Sequence, residues 1–214
     1  MPLVVDPERS MISNGQYPNI DVRRELMTDA LAMEFAELYS PSLLFISDVR
    51  VGPPKDVKET NRAQQIRIQC DMDAQRRWLE LMCPLASTLK FRLPWWEGVT
   101  NYPSGRIYFP VYGKSLTHEA RLVVRKDAPP VDYDNKSYEG HMSFFNWKLR
   151  PAIQRAFGGG RCYDCTVFRW IVCKYLAASE GYDLGFSSDY SVIDERCVRI
   201  EKELARYKAE WMKQ

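Results

Sequence analysis

The segment Thr88-Leu-Lys-Phe-Arg-Leu93 decides how this chain folds, because its apolar and polar side chains alternate strictly. Its two faces are Leu89, Phe91 and Leu93 against Thr88, Lys90 and Arg92. A period of two residues predicts a β-strand with one buried face. We therefore expect Lys90 to point away from the apolar face, on the opposite side of the strand.

Two apolar runs upstream each end in an acid, and they are Pro2-Leu-Val-Val-Asp6 and Pro41-Ser-Leu-Leu-Phe-Ile-Ser-Asp48. Such runs are typical of buried parallel strands. Residues 22–39 carry apolar side chains at roughly helical spacing and are long enough for a crossover, so the three segments predict one βαβ unit. A second helix, capped by Thr60, is predicted from the stripe Ala63, Ile66, Cys70, Ala74, Trp78 and Leu81.

Two further strands are predicted after Lys90, at residues 106–112 and 119–124. Pro110 moves the first of them towards a sheet edge. Alternating strand and helix patterns predict an open α/β sheet, in which ligands bind outside the carboxyl ends of the strands. Asp6 and Asp48 would both lie at that edge.

The carboxyl-terminal third predicts two helices, the first at residues 166–178. The second has a heptad seam formed by Tyr190, Ile193, Cys197, Ile200, Leu204, Tyr207 and Trp211. Two interpretations stay open: packing against its own domain, or docking to another chain, either a second copy or a different protein. We divide the chain into an α/β domain at residues 1–180 and a terminal amphipathic helix at residues 181–214.

The composition excludes several classes of protein. With 214 residues, 45% of them hydrophobic, the chain can bury one sizeable core and is not disordered as a whole. A net charge of +2 leaves no global basic field, so any nucleic-acid contact must be local. No apolar run approaches the roughly 20 residues of a membrane-spanning helix, and no signal peptide is evident. We expect a soluble, cytoplasmic protein with no membrane partner.

The six cysteines lie in apolar or helical stretches, so reduced thiols are expected. Cys162 and Cys165 are the exception, because their spacing suits a zinc ligand pair or a redox dithiol. A structural zinc needs four ligands, and neither a second such pair nor a partner for His118 or His141 exists at ligand spacing. We therefore predict no metal and rank ordinary thiols first.

Three ionisable residues follow one another on successive predicted strands: Asp48, Lys90 and Glu119. The gaps between them fit βα crossovers. A lysine between two carboxylates is either a structural ion pair or the centre of a reactive site. The three residue types alone leave both interpretations open.

The sequence blocks around these residues are Leu43–Arg50, Cys83–Trp95 and His118–Leu122. They resemble the viral cap-specific mRNA nucleoside 2′-O-methyltransferases, a family that includes the regulatory subunit of the poxvirus poly(A) polymerase. The resemblance runs from about Pro2 to Ala178, and it implies a poly(A) polymerase or another mRNA-processing subunit as a protein partner. It implies a Rossmann-like domain that transfers a methyl group from S-adenosylmethionine to the ribose 2′-hydroxyl of the first transcribed nucleotide of m7G-capped mRNA, in the host cytoplasm or the virion.

The family uses a Lys-Asp-Lys-Glu tetrad, and Asp48, Lys90 and Glu119 match its last three members. Methyl transfer requires that the hydroxyl is aimed and that its proton is accepted. The resemblance implies that Lys90 does this and that the two carboxylates position its amine, with a second cation or burial needed to offset them. The family's first lysine and glycine-rich loop precede the strand that ends here in Asp6, so we expect the first βα unit to be absent.

The resemblance also implies ligand contacts outside the tetrad. Those for S-adenosylmethionine are Asp6 on the ribose hydroxyls, Met27 near the adenine, and Asp48 with Val49. Those for the cap are Trp95, stacked on 7-methylguanine, and the acids Glu97 and Asp134. Those for the RNA backbone are Arg50, Arg92 and Arg121.

Three alternatives remain beside this prediction. The first is a non-catalytic RNA-binding or processivity subunit of a viral poly(A) polymerase, and the second is an inactive fragment of the methyltransferase. The third is a zinc or redox module built on Cys162 and Cys165, which ranks below the other two.

Overall fold

The computed structural model describes residues 2–5, 21–52, 59–110, 116–157, 159–181 and 191–211. The chain forms two compact units. We call Thr28–Pro151 the sheet unit, and Met1–Met27 together with Ala152–Gln214 the terminal unit. The described part is a mixed α/β structure with flanking helices, which is compatible with the α/β class predicted from the sequence.

The strands are β1 (Pro2–Val5), β2 (Asp21–Arg24), β3 (Leu44–Ser47), β4 (Ala86–Phe91), β5 (Val99–Pro103), β6 (Arg106–Tyr108), β7 (Ala120–Arg125) and β8 (Pro130–Asp134). The helices are α1 (Asp29–Tyr39), α2 (Asn61–Met82), α3 (Asn135–Phe144), α4 (Arg150–Phe157), α5 (Tyr163–Glu180) and α6 (Ser191–Trp211). A π-helical turn, Phe145–Leu149, joins α3 to α4.

The sheet unit is organised by a four-stranded mixed sheet with the order β3-β4-β7-β6. Strands β3 and β4 are parallel, whereas β7 is antiparallel to both β4 and β6. Leu89, Phe91 and Leu93 have no exposed surface, so the buried face predicted for this stretch is confirmed. The predicted edge position of β6 is confirmed as well.

The βαβ unit predicted from the two upstream runs is wrong. Strand β1 pairs in parallel with β2, not with β3, and residues 21–24 are a strand where the helix was expected to begin. Helix α1 starts at Asp29, where the Thr28 side chain caps it by accepting from Leu31 N. Strand β3 was predicted to be buried but lies at a sheet edge, with Leu44 and Ile46 exposed by 52% and 75%.

The predicted crossovers are half right. Helix α2 joins the parallel pair β3 and β4, as expected for the gap between Asp48 and Lys90. The described part of the gap between Lys90 and Glu119 contains strands β5 and β6 and no helix, and β7 runs antiparallel to β4. Residues 111–115, which belong to the predicted strand 106–112, lie outside the described residues.

Helix α2 begins where the sequence predicted, because Thr60 Oγ1 accepts a hydrogen bond from Ala63 N. Its buried face, however, was assigned correctly only in part, since Trp78 of the predicted stripe is buried. Ile66 and Cys70 of the predicted stripe are exposed, and the buried side chains are Gln65, Ile68, Asp71, Met72, Gln75, Trp78 and Met82. Three polar residues on this face hid it from a search for apolar periodicity.

Residues 131–149 gave no strand or helix prediction, but they contain β8 and α3. Strand β8 pairs antiparallel with β5 in a separate two-stranded sheet, which places Asp134 opposite Val99. The carboxylate of Asp134 then caps α3 by accepting from Ser137 N at 2.6 Å. This small sheet holds the loop after β4 against the start of α3, since Asn135 N also donates to Gly98 O at 3.0 Å.

In the terminal unit, helices α5 and α6 pack on each other. The predicted helix at residues 166–178 is confirmed within α5, and Ile193 and Cys197 of the predicted seam are buried against Val172 and Leu176. Packing within its own unit is therefore confirmed for this half of the seam, while Leu204 is 59% exposed. Tyr190 and the side chains of Tyr207 and Trp211 lie outside the described part.

Candidate functional site

Lys90 is the centre of an ionic cluster at one edge of the main sheet. Its Nζ lies 3.2 Å from Asp48 Oδ1 and 3.4 Å from Glu119 Oε2. The Lys90 side chain is 13% exposed, whereas Asp48 is 67% exposed. The structure thus brings together the three residues that the sequence singled out, with the amine buried between two carboxylates that face solvent.

Strand directions explain this convergence. Asp48 follows β3, and Lys90 lies near the end of the parallel strand β4. Because β7 runs antiparallel, its amino end is at the same sheet edge, and Glu119 immediately precedes it. The carboxyl end of β4 and the amino end of its antiparallel neighbour β7 therefore bring Lys90 and Glu119, which carry opposite charges, to the same edge of the sheet.

Two arginines bind the same carboxylates that bind Lys90. Arg121 binds Asp48 Oδ1 at 2.5 Å and Glu119 Oε1 at 3.1 Å, so it bridges both acids. Arg50 lies 3.6 Å from Glu119 Oε2, the oxygen that also faces Lys90. These arginines place additional positive charge beside the two carboxylates that bind Lys90.

A buried acid on α2 binds Arg50 and fixes its position. Asp71 is 4% exposed and accepts from Arg50 Nη1 at 3.4 Å and from Val51 N at 3.2 Å. Burial is the largest cause that raises the pKa of Asp71, and the nearby Arg50 guanidinium lowers it in part. The loop after β3 is thus fixed to α2 by its backbone and by Arg50 together.

Gln75 on α2 fixes the backbone of Lys90 itself. Its Nε2 donates to Lys90 O at 2.9 Å, and its Oε1 accepts from Lys90 N at 3.1 Å. Strand β3 ends at Ser47, which is paired with Leu89, so Lys90 has no strand partner on that side. The Gln75 amide takes the place of the missing strand.

Tyr138 on α3 joins the other side of the cluster. Its hydroxyl lies 2.7 Å from His118 O and 3.2 Å from Phe91 O, and the ring is 6% exposed. It therefore ties the residue after Lys90 to the residue before Glu119. Burial raises the pKa of Tyr138, so the phenol remains a neutral donor.

The aromatic side of the site is formed by Trp95. The guanidinium of Arg92 lies 4.8 Å from its ring centroid, and the ring of His118 lies 5.4 Å away in an edge-on arrangement. Burial, followed by the charge of Arg50, lowers the pKa of Arg92, and burial followed by Arg92 lowers that of His118. Trp95 is 37% exposed.

A groove of about 530 Å³ opens beside this tryptophan, and its lining is Asn61, Arg62, Gln65, Ile66, Trp95 and Trp96. Gln65 is 3% exposed, yet neither its Oε1 nor its Nε2 has a hydrogen-bond partner among the described residues. An unpaired buried amide costs free energy unless a ligand or water satisfies it. The groove thus combines two indole rings, one unsatisfied amide and an arginine.

The other predicted site residues lie in several parts of the chain. Glu97 lies in the exposed loop between Trp95 and β5, and Asp134 is paired with Val99 two residues further along. Val49 follows Asp48 in the loop after β3. Asp6 lies outside the described residues, and Met27 belongs to the terminal unit rather than to the sheet unit.

Sequence reasoning missed the supporting residues of α2, namely Gln65, Asp71 and Gln75. The available signal was their position: they recur at gaps of six and four residues, on the face that the structure shows to be buried. Three buried polar side chains on one helix face indicate that the helix binds backbone or ligand groups there.

No known protein-family model matches this chain, and no curated protein sequence matches it. Among the described residues, no group of three or more His, Cys, Asp or Glu side chains could hold a metal ion. No helix in the part of the chain that the structure describes is long and apolar enough to cross a membrane.

Proposed function

We propose that the sheet unit carries a methyltransferase site, which modifies the ribose 2′-hydroxyl of the first nucleotide of m7G-capped RNA with S-adenosylmethionine as methyl donor. One observation carries this proposal: Lys90 Nζ lies between Asp48 Oδ1 and Glu119 Oε2 at 3.2 and 3.4 Å. These are the three residues for which the sequence resemblance implied this role, and they lie far apart in the sequence.

The reaction requires an aimed hydroxyl and an acceptor for its proton. Lys90 is suited to both, because its amine is nearly buried and its backbone is fixed by Gln75. Asp48 and Glu119 orient the amine. Arg121 and Arg50 bind the same two carboxylates. In this role the amine takes the proton of the 2′-hydroxyl.

S-adenosylmethionine would supply an electrophilic methyl group beside this amine. Asp48 has room for such a ligand, because Lys90 and Arg121 both use Oδ1, and no described residue donates to Oδ2. The side chain is also mostly exposed. Asp48 and Val49 are therefore the residues of the sheet unit that would hold the cofactor.

The groove at Trp95 suits a flat, heteroaromatic ring. Indole faces stack on purines, and a cationic 7-methylguanine is attracted more strongly than guanine. The unsatisfied amide of Gln65 offers an NH₂ donor group and a carbonyl acceptor, as a base edge requires. Glu97 and Asp134 lie on adjoining segments and supply the negative charge for a cationic base.

The experiment is transfer of labelled methyl groups to a short m7G-capped RNA. We expect label on the wild-type product and none on an otherwise identical RNA whose first nucleotide lacks the 2′-hydroxyl. An RNA that lacks the hydroxyl only at the second nucleotide is the matched control and should be labelled normally. Label that persists without the first 2′-hydroxyl would exclude this reaction.

A second candidate is RNA binding without catalysis. The charge pairing in the ionic cluster favours this candidate. Lys90, Arg121 and Arg50 each have a carboxylate partner, as in a structural ion-pair network. A chain that binds capped RNA but transfers no methyl group in the presence of S-adenosylmethionine would favour this alternative.

A further inference from the structure

A pair of exposed cysteines at the start of α5 is not used by the proposed site. Cys162 is the N-cap of this helix, and Cys165 lies in its first turn. Their sulfur atoms lie 3.1 Å apart, and Cys165 N also donates to Cys162 Sγ at 3.4 Å. The two thiols are thus close enough to join with a small movement, and both are open to dissolved reagents.

We propose that Cys162 and Cys165 form a redox-active dithiol, which closes reversibly to an intramolecular disulfide by exchange with a small-molecule disulfide such as oxidised glutathione. The site lies in the terminal unit and does not depend on the methyltransferase proposal.

The exchange takes place in two steps. The thiolate of Cys162 attacks one sulfur of the small disulfide, which forms a mixed disulfide and releases one thiolate. Cys165 loses its proton to solvent and attacks the Cys162 sulfur, which forms the Cys162–Cys165 bond and releases the second thiolate. The two released thiolates take up the two protons, so two cysteine thiols are oxidised and one glutathione disulfide is reduced to two thiols.

The geometry makes Cys162 the attacking residue. Its sulfur accepts the N–H of Cys165 at the amino end of an 18-residue helix, where backbone N–H groups favour negative charge. Hydrogen bonds from the Cys165 backbone and thiol lower the pKa of Cys162, although the Asp164 carboxylate opposes this. The hydrogen bond with Cys162, together with burial, raises the pKa of Cys165, which then serves as the resolving thiol.

The other four cysteines do not share these properties. Cys173 and Cys197 are buried between α5 and α6, where burial raises the pKa of both thiols. Cys70 and Cys83 are exposed, but neither has another cysteine beside it in the described part of the chain. Among the described residues, no third His, Cys, Asp or Glu side chain forms a metal-binding group with Cys162 and Cys165.

The test uses the full chain in glutathione buffers of increasing oxidised fraction, followed by alkylation, trypsin digestion and mass spectrometry. The peptide Cys162–Arg169 contains both cysteines and no other. We expect it to lose the mass of two hydrogen atoms and to resist alkylation, and to recover both thiols in reduced glutathione. The peptides with Cys70 and Cys83 are the internal controls and should remain alkylated.

Two variants identify the attacking thiol. In Cys165→Ser, a glutathione adduct should accumulate on Cys162 about tenfold faster than on Cys83, because the resolving thiol is absent. In Cys162→Ser, Cys165 should react no faster than Cys83. Circular dichroism of each variant checks that it folds. The reactivity of Cys162 can also be compared with that of Cys83 in the wild type, without any variant.

Two results would overturn the proposal. One is a wild-type peptide that stays alkylated at both cysteines in excess oxidised glutathione. The other is bound zinc that copurifies with the chain and protects both thiols from alkylation.

Discussion

Lys90 and Arg121 face each other across the antiparallel β4–β7 pair, and their side chains bind the same atom, Oδ1 of Asp48. Arg121 also reaches Glu119, so one guanidinium bridges the two carboxylates that hold the lysine amine. The neighbouring strand thus places positive charge beside both carboxylates.

Removal of this bridge should impair catalysis rather than binding. For Arg121→Gln we expect kcat for methyl transfer to fall by about tenfold or more, with little change in the KM for S-adenosylmethionine, because the bridge that fixes Asp48 and Glu119 around the amine is lost. Arg121→Lys should recover part of the loss. Arg125→Gln, an exposed arginine at the end of the same strand, is the matched control. A rise in KM alone would show that Arg121 contributes to binding.

Gln75 should be a structural requirement of the site. Gln75→Leu removes both hydrogen bonds to the Lys90 backbone and leaves its N–H and C=O unpaired. We expect the free energy of unfolding, measured in guanidinium chloride, to fall by about 2 kcal/mol. Gln69→Leu alters a glutamine on the same helix that binds only Asp73, and it should change stability by less than about 0.5 kcal/mol. Equal losses for the two variants would contradict this role.

Replacement of Gln65 should have the opposite effect and raise stability. Its amide is buried without a partner, so Gln65→Leu should stabilise the free protein by about 1 kcal/mol. If the amide binds a base edge, the same variant should bind the cap analogue m7GpppG about tenfold more weakly. Isothermal titration and thermal unfolding of one preparation measure both effects. Unchanged affinity would remove Gln65 from the cap groove.

His118 should make stability depend on pH on the acid side of neutrality. Burial and Arg92 hold its pKa below the ordinary value of 6.5, so the folded state favours the neutral ring. This contribution is fully present above about pH 6.5 and is lost as the pH falls through the lower pKa of the folded state.

The measurement is the free energy of unfolding of the wild type and of His118→Gln between about pH 5 and pH 8. We expect the wild type to lose more stability on acidification than this variant. His141→Gln removes the other histidine, which is exposed, and should retain the acid-side slope of the wild type. Parallel curves for the wild type and His118→Gln would contradict the burial argument.

The sequence predicted the centre of the sheet well, because alternation around Lys90 has a direct physical cause. Leu89 and Phe91 must face the core, so Lys90 must face the other way, and this holds in the structure. The direction of β7 was not predictable from spacing alone. A gap that fits a helical crossover also fits two short strands, and the pairing decides between them.

Helix α2 shows why the support of the site was missed. Its face was assigned by apolar spacing, but Asp71 and Gln75 are buried because they bind the backbone of Val51 and Lys90. Polar residues acquire such partners only through tertiary contacts, which periodicity does not contain. The same limit applies to β1, whose apolar run specifies a strand but not the partner strand.

The most direct test of the central claim compares methyl transfer by the wild type and by Lys90→Met in one assay with capped RNA. Lys126→Met, an exposed lysine just after β7, is the matched control. We expect Lys90→Met to lose at least about a hundredfold in kcat while binding of capped RNA and the unfolding midpoint stay close to the wild type. Full methyl transfer by Lys90→Met would contradict the assignment of Lys90 as the group that accepts the proton of the 2′-hydroxyl.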